Sequence, residues 1–371
     1  NIETSTKTLI AGCKSSVIPA SGAVTKIGES AFSYCNITSL VIPNGVTEID
    51  KYAFSDCDEL TYVSMHDSLS VIGYGAFYRC SKLATVIFPE NLTIIGELAF
   101  YQCYEITSVS FNENLTEIGA SAFLRCSKLA SITLPDNLQY IGEAAFGSTA
   151  YDINHLQDKV RYIGKHLIYV YWEITDYTIR DGTLTIAEGA FEQASKIETV
   201  TIPDTVVTIC KGAFYNCDYL QSITIPGNVV TIGEFAFFDC DELQSVTICD
   251  GVKTIGGYAF ASCDRVNSIN IPDSVTSIGG YAFVYNNLKT VVIGTGVESI
   301  GYGAFSQNYN ADRTVEFKDP EGWVRYSPNA GELEFSAETL EDGAAASELL
   351  NETFISNDKT TYYKWYKNTA D

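Results

Sequence analysis

The chain has 371 residues, in which 46 acidic side chains face 23 basic ones for a formal charge of -23, spread along the chain and not gathered in a tail. That balance argues against nucleic acid, which needs a basic patch, and against an anionic membrane surface. No run of about 18 apolar residues is present, so no segment spans a bilayer as a helix.

Residues 1–12 read as an irregular lead-in. The chain begins at Asn1 with neither an initiator Met nor an apolar leader, which leads us to expect that a signal peptide was removed. The first half-unit is Val17-Ile18-Pro19 with Val24, Ile27-Gly28 and Ala31-Phe32. Ala-Phe pairs then place Phe at 32, 54, 77, 100, 123, 146, 191, 214, 237, 260, 283 and 305, with every gap 22 or 23 except one of 45. The long gap is two periods, and Ile163-Gly164 with Ile168 at its middle predicts a degenerate coil over about 147–180. Thirteen coils are thus expected, forming a solenoid over 13–310. A stack grows in one dimension, so one elongated domain can take this length although a globular core stops growing near 250 to 300 residues.

The stretch Cys80 to Phe100, CSKLATVIFPENLTIIGELAF, shows the unit. Its apolar residues fall in short period-two pieces separated by Pro, Asn and Gly, which predicts a strand over Leu83 to Phe88, a turn at Pro89 to Asn91, a second extended piece over Thr93 to Ile95 and a corner at Gly96. Abundant Tyr (24) and Phe (19) with a single Met suit β-structure. One coil cannot stand alone. Its six to eight inward side chains contribute roughly 1.5 to 3 kcal/mol each on burial, against roughly 35 kcal/mol to order 23 residues, so stacking must supply the rest. From Ala311 the repeat dissolves after Val315 and Phe317. Ser336 can cap a helix running to about Leu350, and Trp323, Leu340, Leu349 and Leu350 can cover the last coil, so 311–371 reads as a C-terminal cap.

The unit, with Ile-Pro, Ile-Gly and Ala-Phe-x-x-Cys at fixed offsets over roughly residues 9 to 317, resembles the BspA-like, Treponema pallidum-type leucine-rich repeats. Departures are local: His66, Asn112, Arg180, Cys249 and Gly294 replace the Pro, and Cys210 replaces a Gly. The resemblance implies a curved, right-handed solenoid with a sheet on its concave side, secretion or cell-surface display, and adhesion or protein binding. The family has no shared catalytic residues to carry over.

Of eleven cysteines, eight (Cys35, Cys57, Cys80, Cys103, Cys126, Cys217, Cys240 and Cys263) stand three residues after Phe, and Asn286 and Asn308 take that place in the last coils. Either side chain can turn inward and bond a neighbouring turn's backbone, so we expect a ladder of buried thiols. Parallel side-chain vectors hold neighbouring Cβ atoms wider than a disulfide prefers. No Cys-x-x-Cys pair and no zinc-like Cys/His spacing occurs, so no metal or cofactor is expected. Cys13, Cys210 and Cys249 are the candidates for reactive thiols.

The residue after the Pro position is acidic in eight coils: Asp67, Glu90, Glu113, Asp136, Asp181, Asp204, Asp250 and Asp273. A cation rail and a simple preference of turns for Asp and Asn both account for that row, and the turn preference is the favoured reading. Outward strand positions are mostly Ser and Thr, as at Ser110, Thr133, Thr201, Thr224 and Thr247, a flat polar face suited to a repetitive partner. The degenerate coil carries Tyr162, Tyr169, Tyr171, Trp172, Tyr177 and Arg180, aromatics beside a cation that suit protein or glycan contacts. Alternation predicts Tyr169 and Tyr171 on one face, Val170 and Trp172 on the other. With three histidines, His66, His155 and His166, a Ser-His-Asp arrangement has little to draw on.

These readings converge on a non-enzymatic, secreted or cell-surface binding protein, expected to be monomeric, that recognises a protein or glycan macromolecule. A rigid spacer presenting another domain is the alternative, and a glycan- or peptide-active enzyme a remote one.

Overall fold

The backbone returns to the same place every 22 or 23 residues, as the parallel register of its strands records: Glu48 pairs with Val71 and Val71 with Ile94, and beyond them Glu117 pairs with Tyr140. The computed structural model describes residues 2–13, 17–19, 22–155, 158–308, 314–321, 323–327, 331–334, 340–341 and 364–367. They fall into two units, Asn1–Lys165 and His166–Asp371, each a mainly β stack of repeated coils. A coil consists of a first strand, a turn, a two-residue second strand and a corner that carries Ala-Phe.

In unit 1 the first strands are Ser39–Ile42, Tyr62–Met65 and Thr85–Ile87 in one parallel sheet, then Ser108–Ser110 with Ser131–Thr133. The second strands run from Lys26–Ile27 to Tyr140–Ile141 in an eight-stranded sheet. The lead-in is not irregular. Ile2–Glu3 pairs antiparallel with Thr8–Leu9, which in turn lies parallel to Lys26–Ile27, so the hairpin supplies the end of that sheet.

In unit 2 the first strands are Asp176–Thr178, Thr199–Thr201, Ser222–Ile225 and Ser245–Ile248, then Ser268–Asn270, Thr290–Ile293 and Thr314–Phe317. The second strands run in parallel from His166–Val170 to Ser299–Ile300, where the order reverses. Lys364–Lys367 pairs antiparallel with Ser299–Ile300, Trp323–Ser327 pairs with Lys364–Lys367, and Gly331–Glu334 with Trp323–Ser327. An antiparallel strand thus takes up the edge that an open parallel stack would leave unpaired. The expected helix over 336–350 lies outside the described residues except for Leu340 and Glu341. Trp323 and Leu340 are buried, and Trp323 meets Phe317 edge-on at 5.4 Å.

The core of each unit is a column of rings. Phe32, Phe54, Phe77, Phe100, Phe123 and Phe146 stack at centroid spacings of 5.1 to 5.4 Å. Phe191 to Phe305 form a second column with spacings of 4.3 to 5.4 Å. All but the 4.3 Å pair of Phe191 and Phe214 fall within the range favoured for offset aromatic pairs.

Hydrogen bonds run in opposite directions on the two sides of a coil. At the second strand the amide donates backwards, as from Gly73 to Ile49 O at 2.8 Å, whereas at the corner it donates forwards, as from Phe54 to Ala76 O at 2.8 Å. The corner also closes on itself through tight turns, Ala76 to Gly73 O and Cys80 to Phe77 O. Those turns hold the residues two before and two after the core Phe at positive φ, Gln193 after Phe191 excepted, even where the residue is Tyr52 (55°), Leu98 (57°) or Phe235 (55°).

The degenerate coil departs from the register expected for it. Leu167, not Ile163, pairs with Ile186. Elsewhere a core Phe donates its amide to the Ala before the next coil's Phe; here Val170 does so, to Ala190 O at 2.8 Å, and Ile168 is only half-buried. The cause is the extra chain upstream: a short helix, Ala150–Asn154, capped by Thr149, and a strand, Val160–Ile163, absorb residues that the repeat would have used.

Candidate functional site

The residue three after each Phe faces inward. The thiols of Cys57, Cys80, Cys103 and Cys126 donate to the carbonyls of Phe32, Phe54, Phe77 and Phe100 at 3.1, 3.1, 3.2 and 3.1 Å. Cys217, Cys240 and Cys263 repeat this with Phe191, Phe214 and Phe237 at 3.5, 3.3 and 3.1 Å. Asn286 and Asn308 make the same bond from Nδ2 to Phe260 and Phe283 at 2.9 and 2.8 Å. Asn286 adds an acceptor for the Cys263 amide at 2.7 Å. Cys35, at the start of the ladder, is half-buried and reaches Gly12 O at 3.7 Å. None of the eleven cysteines forms a disulfide. Burial pushes Cys126 up to about 12 and raises Cys80, Cys103, Cys217 and Cys240. Such protonated thiols are poor nucleophiles, so the row is structural in its chemistry. Of the three outlying cysteines, Cys13 is exposed and Cys249 half-buried, but Cys210 is buried. Cys210 packs into the core, closed to solvent.

The first strands turn alternate residues outward. In unit 2 the exposed pairs are Thr199 and Thr201, Ser222 and Thr224, Ser245 and Thr247, and Ser268 and Asn270. They stand in register, Ser222 beside Ser245 and Thr224 beside Thr247, so like hydroxyls form two rows. Asp176 begins the first row and accepts from Thr199 Oγ1 at 2.6 Å and Thr175 Oγ1 at 3.0 Å; these bonds hold its carboxyl below the usual range. In unit 1 the same face carries exposed Val41 and Ile87 among its hydroxyls.

The degenerate coil brings only part of the sequence-derived aromatic set together. Tyr169 and Tyr171 lie 6.5 Å apart, Tyr171 and Trp172 5.7 Å, and Lys196 Nζ sits 4.5 Å over the Trp172 ring. Tyr171 and Trp172 are exposed at 37% and 38%. The predicted alternation fails because the strand ends at Val170, which is fully buried, and Trp172 turns outward beyond it. Tyr177 takes the inward place that Val200 takes in the next coil and leans on Phe191 at 6.4 Å, so it fills core. Arg180 is exposed on a turn and its carbonyl accepts from Thr183. Tyr162 belongs to unit 1, where its carbonyl accepts from Tyr151 Oη at 2.6 Å. Lys196, which completes the cluster, lies a coil away in sequence and carried no signal of its own.

The acidic turn row is engaged locally. Asp67 Oδ1 accepts the Glu90 amide at 3.0 Å, Asn91, Asn114 and Asn137 donate to the carbonyls of Asp67, Glu90 and Glu113, and Lys165 pairs with Asp136. The Thr295 amide and Lys318 hold Asp273 below the usual range. Among the described residues no group of His, Cys, Asp and Glu stands close enough to hold a metal ion. His66 Nδ1 accepts from the Ser68 amide within its own turn, His155 Nδ1 lies 2.7 Å from Tyr151 O, and His166 is buried.

The family model for the BspA type leucine rich repeat region, in six copies, matches residues 10–130, 93–212 and 184–312. No curated protein matches the chain significantly. Among solved structures, a leucine-rich repeat protein from Bacteroides ovatus is 21% identical, with 80% of this chain and 88% of that one covered at a TM-score of 0.35. A leucine rich cell surface protein from Faecalibacterium prausnitzii is 27% identical over 80% and 84% at 0.34. The leucine rich repeat protein of T. pallidum is 21% identical over 67% and 76% at 0.20. With its repeat matched from residue 10 to residue 312, the chain belongs to the BspA-type leucine-rich-repeat family.

Proposed function

We propose that the chain is a non-enzymatic, secreted or surface-displayed binding protein that recognises a protein or glycan macromolecule of a host or neighbouring cell. Proteins built on this repeat generally bind other proteins. The observation that carries the reading for this chain is the exposed pair Tyr171 and Trp172, held beside Lys196 in the coil where the repeat breaks down. Exposed aromatics next to a cation are the side chains that dominate interfaces, and no need of the repeat explains them. The hydroxyl rows on the first strands of the following coils offer a regular polar surface for the same partner.

The test is a binding screen of immobilised matrix proteins and glycans, followed by Tyr171→Ala and Trp172→Ala in the best hit. Loss of about 2 kcal/mol of binding at either position, the size of an interface hot spot, supports the reading. A screen without a micromolar ligand favours the spacer role instead.

A further inference from the structure

The corners carry a second exposed surface, away from the strands, whose chemistry differs between the units. Two residues before the core Phe, successive coils of unit 2 place Gly212, Phe235, Tyr258 and Tyr281. Phe235 stacks on Tyr258 at 4.9 Å and Tyr258 on Tyr281 at 4.8 Å. Phe238 meets Phe235 edge-on at 5.7 Å and stacks on Tyr215 at 5.2 Å. These five rings are half-buried. The row starts after Gly212, which has no side chain, so among the described residues one face of Phe235 has no ring stacked against it.

The same corners carry a row of carboxylates. Asp239 follows Phe238, and the residue after the ladder cysteine is Asp218, Asp241 and Asp264 in three successive coils. Burial and then the charges of Asp241, Asp218 and Asp264 hold the Asp239 carboxyl above its ordinary range; burial and Asp241 do the same for Asp218. Among the described residues, none of the four forms a salt bridge, and the two cations next to the corners are engaged elsewhere, Lys211 with Glu188 and Arg265 with Glu242. Unit 1 has tyrosines at its corners too, Tyr52, Tyr74, Tyr78 and Tyr101, but no such row of acids: Asp56 faces Arg79 at 3.5 Å, and Asp58, the one acid that follows a ladder cysteine there, accepts from Ser81 at 2.9 Å. The scaffold therefore does not require the uncompensated row.

Four like charges that repel one another call for an external cation, and their spacing decides which kind. The carboxylates are too dispersed to chelate a metal ion. An extended partner with several cations matches them, and the rings select among cations, because a planar guanidinium lies flat on an aromatic face as well as pairing with carboxylates. We propose that this corner surface of unit 2 docks an arginine-rich segment of a partner protein, with guanidinium groups against Phe235 beside Gly212 and paired to Asp218, Asp239, Asp241 and Asp264. The surface is separate from the strand face and from the Tyr171 cluster, so it stands whether or not those bind.

The test is calorimetric titration of the whole chain with nona-arginine and nona-lysine peptides. One variant carries Asp218→Asn, Asp239→Asn, Asp241→Asn and Asp264→Asn. A control removes the same charge from the turn row through Glu90→Gln, Glu113→Gln, Asp181→Asn and Asp204→Asn. The proposal predicts nona-arginine tighter than nona-lysine, a loss of about tenfold or more in the corner variant, and a change below about threefold in the control. A third variant, Phe235→Leu, keeps the core and is expected to erase the preference for arginine. Thermal melts establish that each variant is folded. Equal losses in both charge variants would reduce the effect to attraction by net charge and overturn the proposal, as would absence of nona-arginine binding.

Discussion

At the scale of single residues, backbone proximity and buried thiols set what each position tolerates. A Cβ added at Gly142 would stand 2.2 Å from the Ala120 amide nitrogen, so Gly142→Ala is expected to destabilise by about 1–3 kcal/mol, read from urea midpoints. Two residues on, the sign reverses: Ala144 is exposed at φ 51°, where a side chain is strained, and Ala144→Gly is expected to stabilise by about 1 kcal/mol. The glycine of Ile-Gly was legible from its fixed offset. The left-handed corner positions were not, because Tyr52, Leu98 and Phe235 occupy them and the turn geometry overrides local preference. The thiol ladder gives a pH prediction. In the unfolded chain the thiols lose their protons near pH 9, while the folded chain holds the Cys126 proton to about 12. The folded state binds more protons in that window, so stability is full below about pH 9 and falls as pH rises toward 12, by at most about 1.4 kcal/mol per pH unit for each such thiol. Urea unfolding in reductant at pH 8 and pH 10.5 checks this, and Cys126→Asn, the residue type found in the last coils, should shrink the loss.

At the scale of elements, the ring columns hold the coils together. Phe123 and Phe237 are each fully buried and stacked on both sides, so Phe123→Ala or Phe237→Ala is expected to cost about 3–5 kcal/mol in chemical denaturation. A change below about 1 kcal/mol would contradict the packing described. The coils were readable because the apolar offsets and Ala-Phe recur in twelve copies, with Pro and Gly marking the turns in most of them. Where one copy stands alone the text misled. Ile163-Gly164 imitates the corner motif, yet strand pairing selects Leu167 as the partner of Ile186, a long-range contact that no local pattern encodes. The two ends failed similarly: the Ile2–Glu3 hairpin and the reversed strands Trp323–Ser327 and Lys364–Lys367 owe their structure to the sheet edges they complete.

At the scale of the whole molecule, the chain presents long repetitive surfaces on which the informative residues are departures from the repeat. Tyr171 and Trp172 were visible in the sequence as such departures, but Lys196 was not, since only the turn of the solenoid brings it over the indole. The acidic composition is distributed unevenly in its effect: much of it is absorbed by pairs between neighbouring coils, such as Lys82 with Glu59 at 2.7 Å and Lys26 with Glu48 at 2.8 Å, while the Asp218 to Asp264 row has no such partner among the described residues. These exposed pairs contribute little to stability, and their main effect is to decide where negative potential remains. The proposed function places recognition of a macromolecule at the exposed aromatic pair. Biolayer interferometry of the folded chain against matrix proteins and glycans, comparing wild type with Trp172→Ala, tests it most directly. We predict at least one micromolar ligand whose affinity falls about tenfold or more in the variant; ligands bound equally well by both proteins would contradict the account.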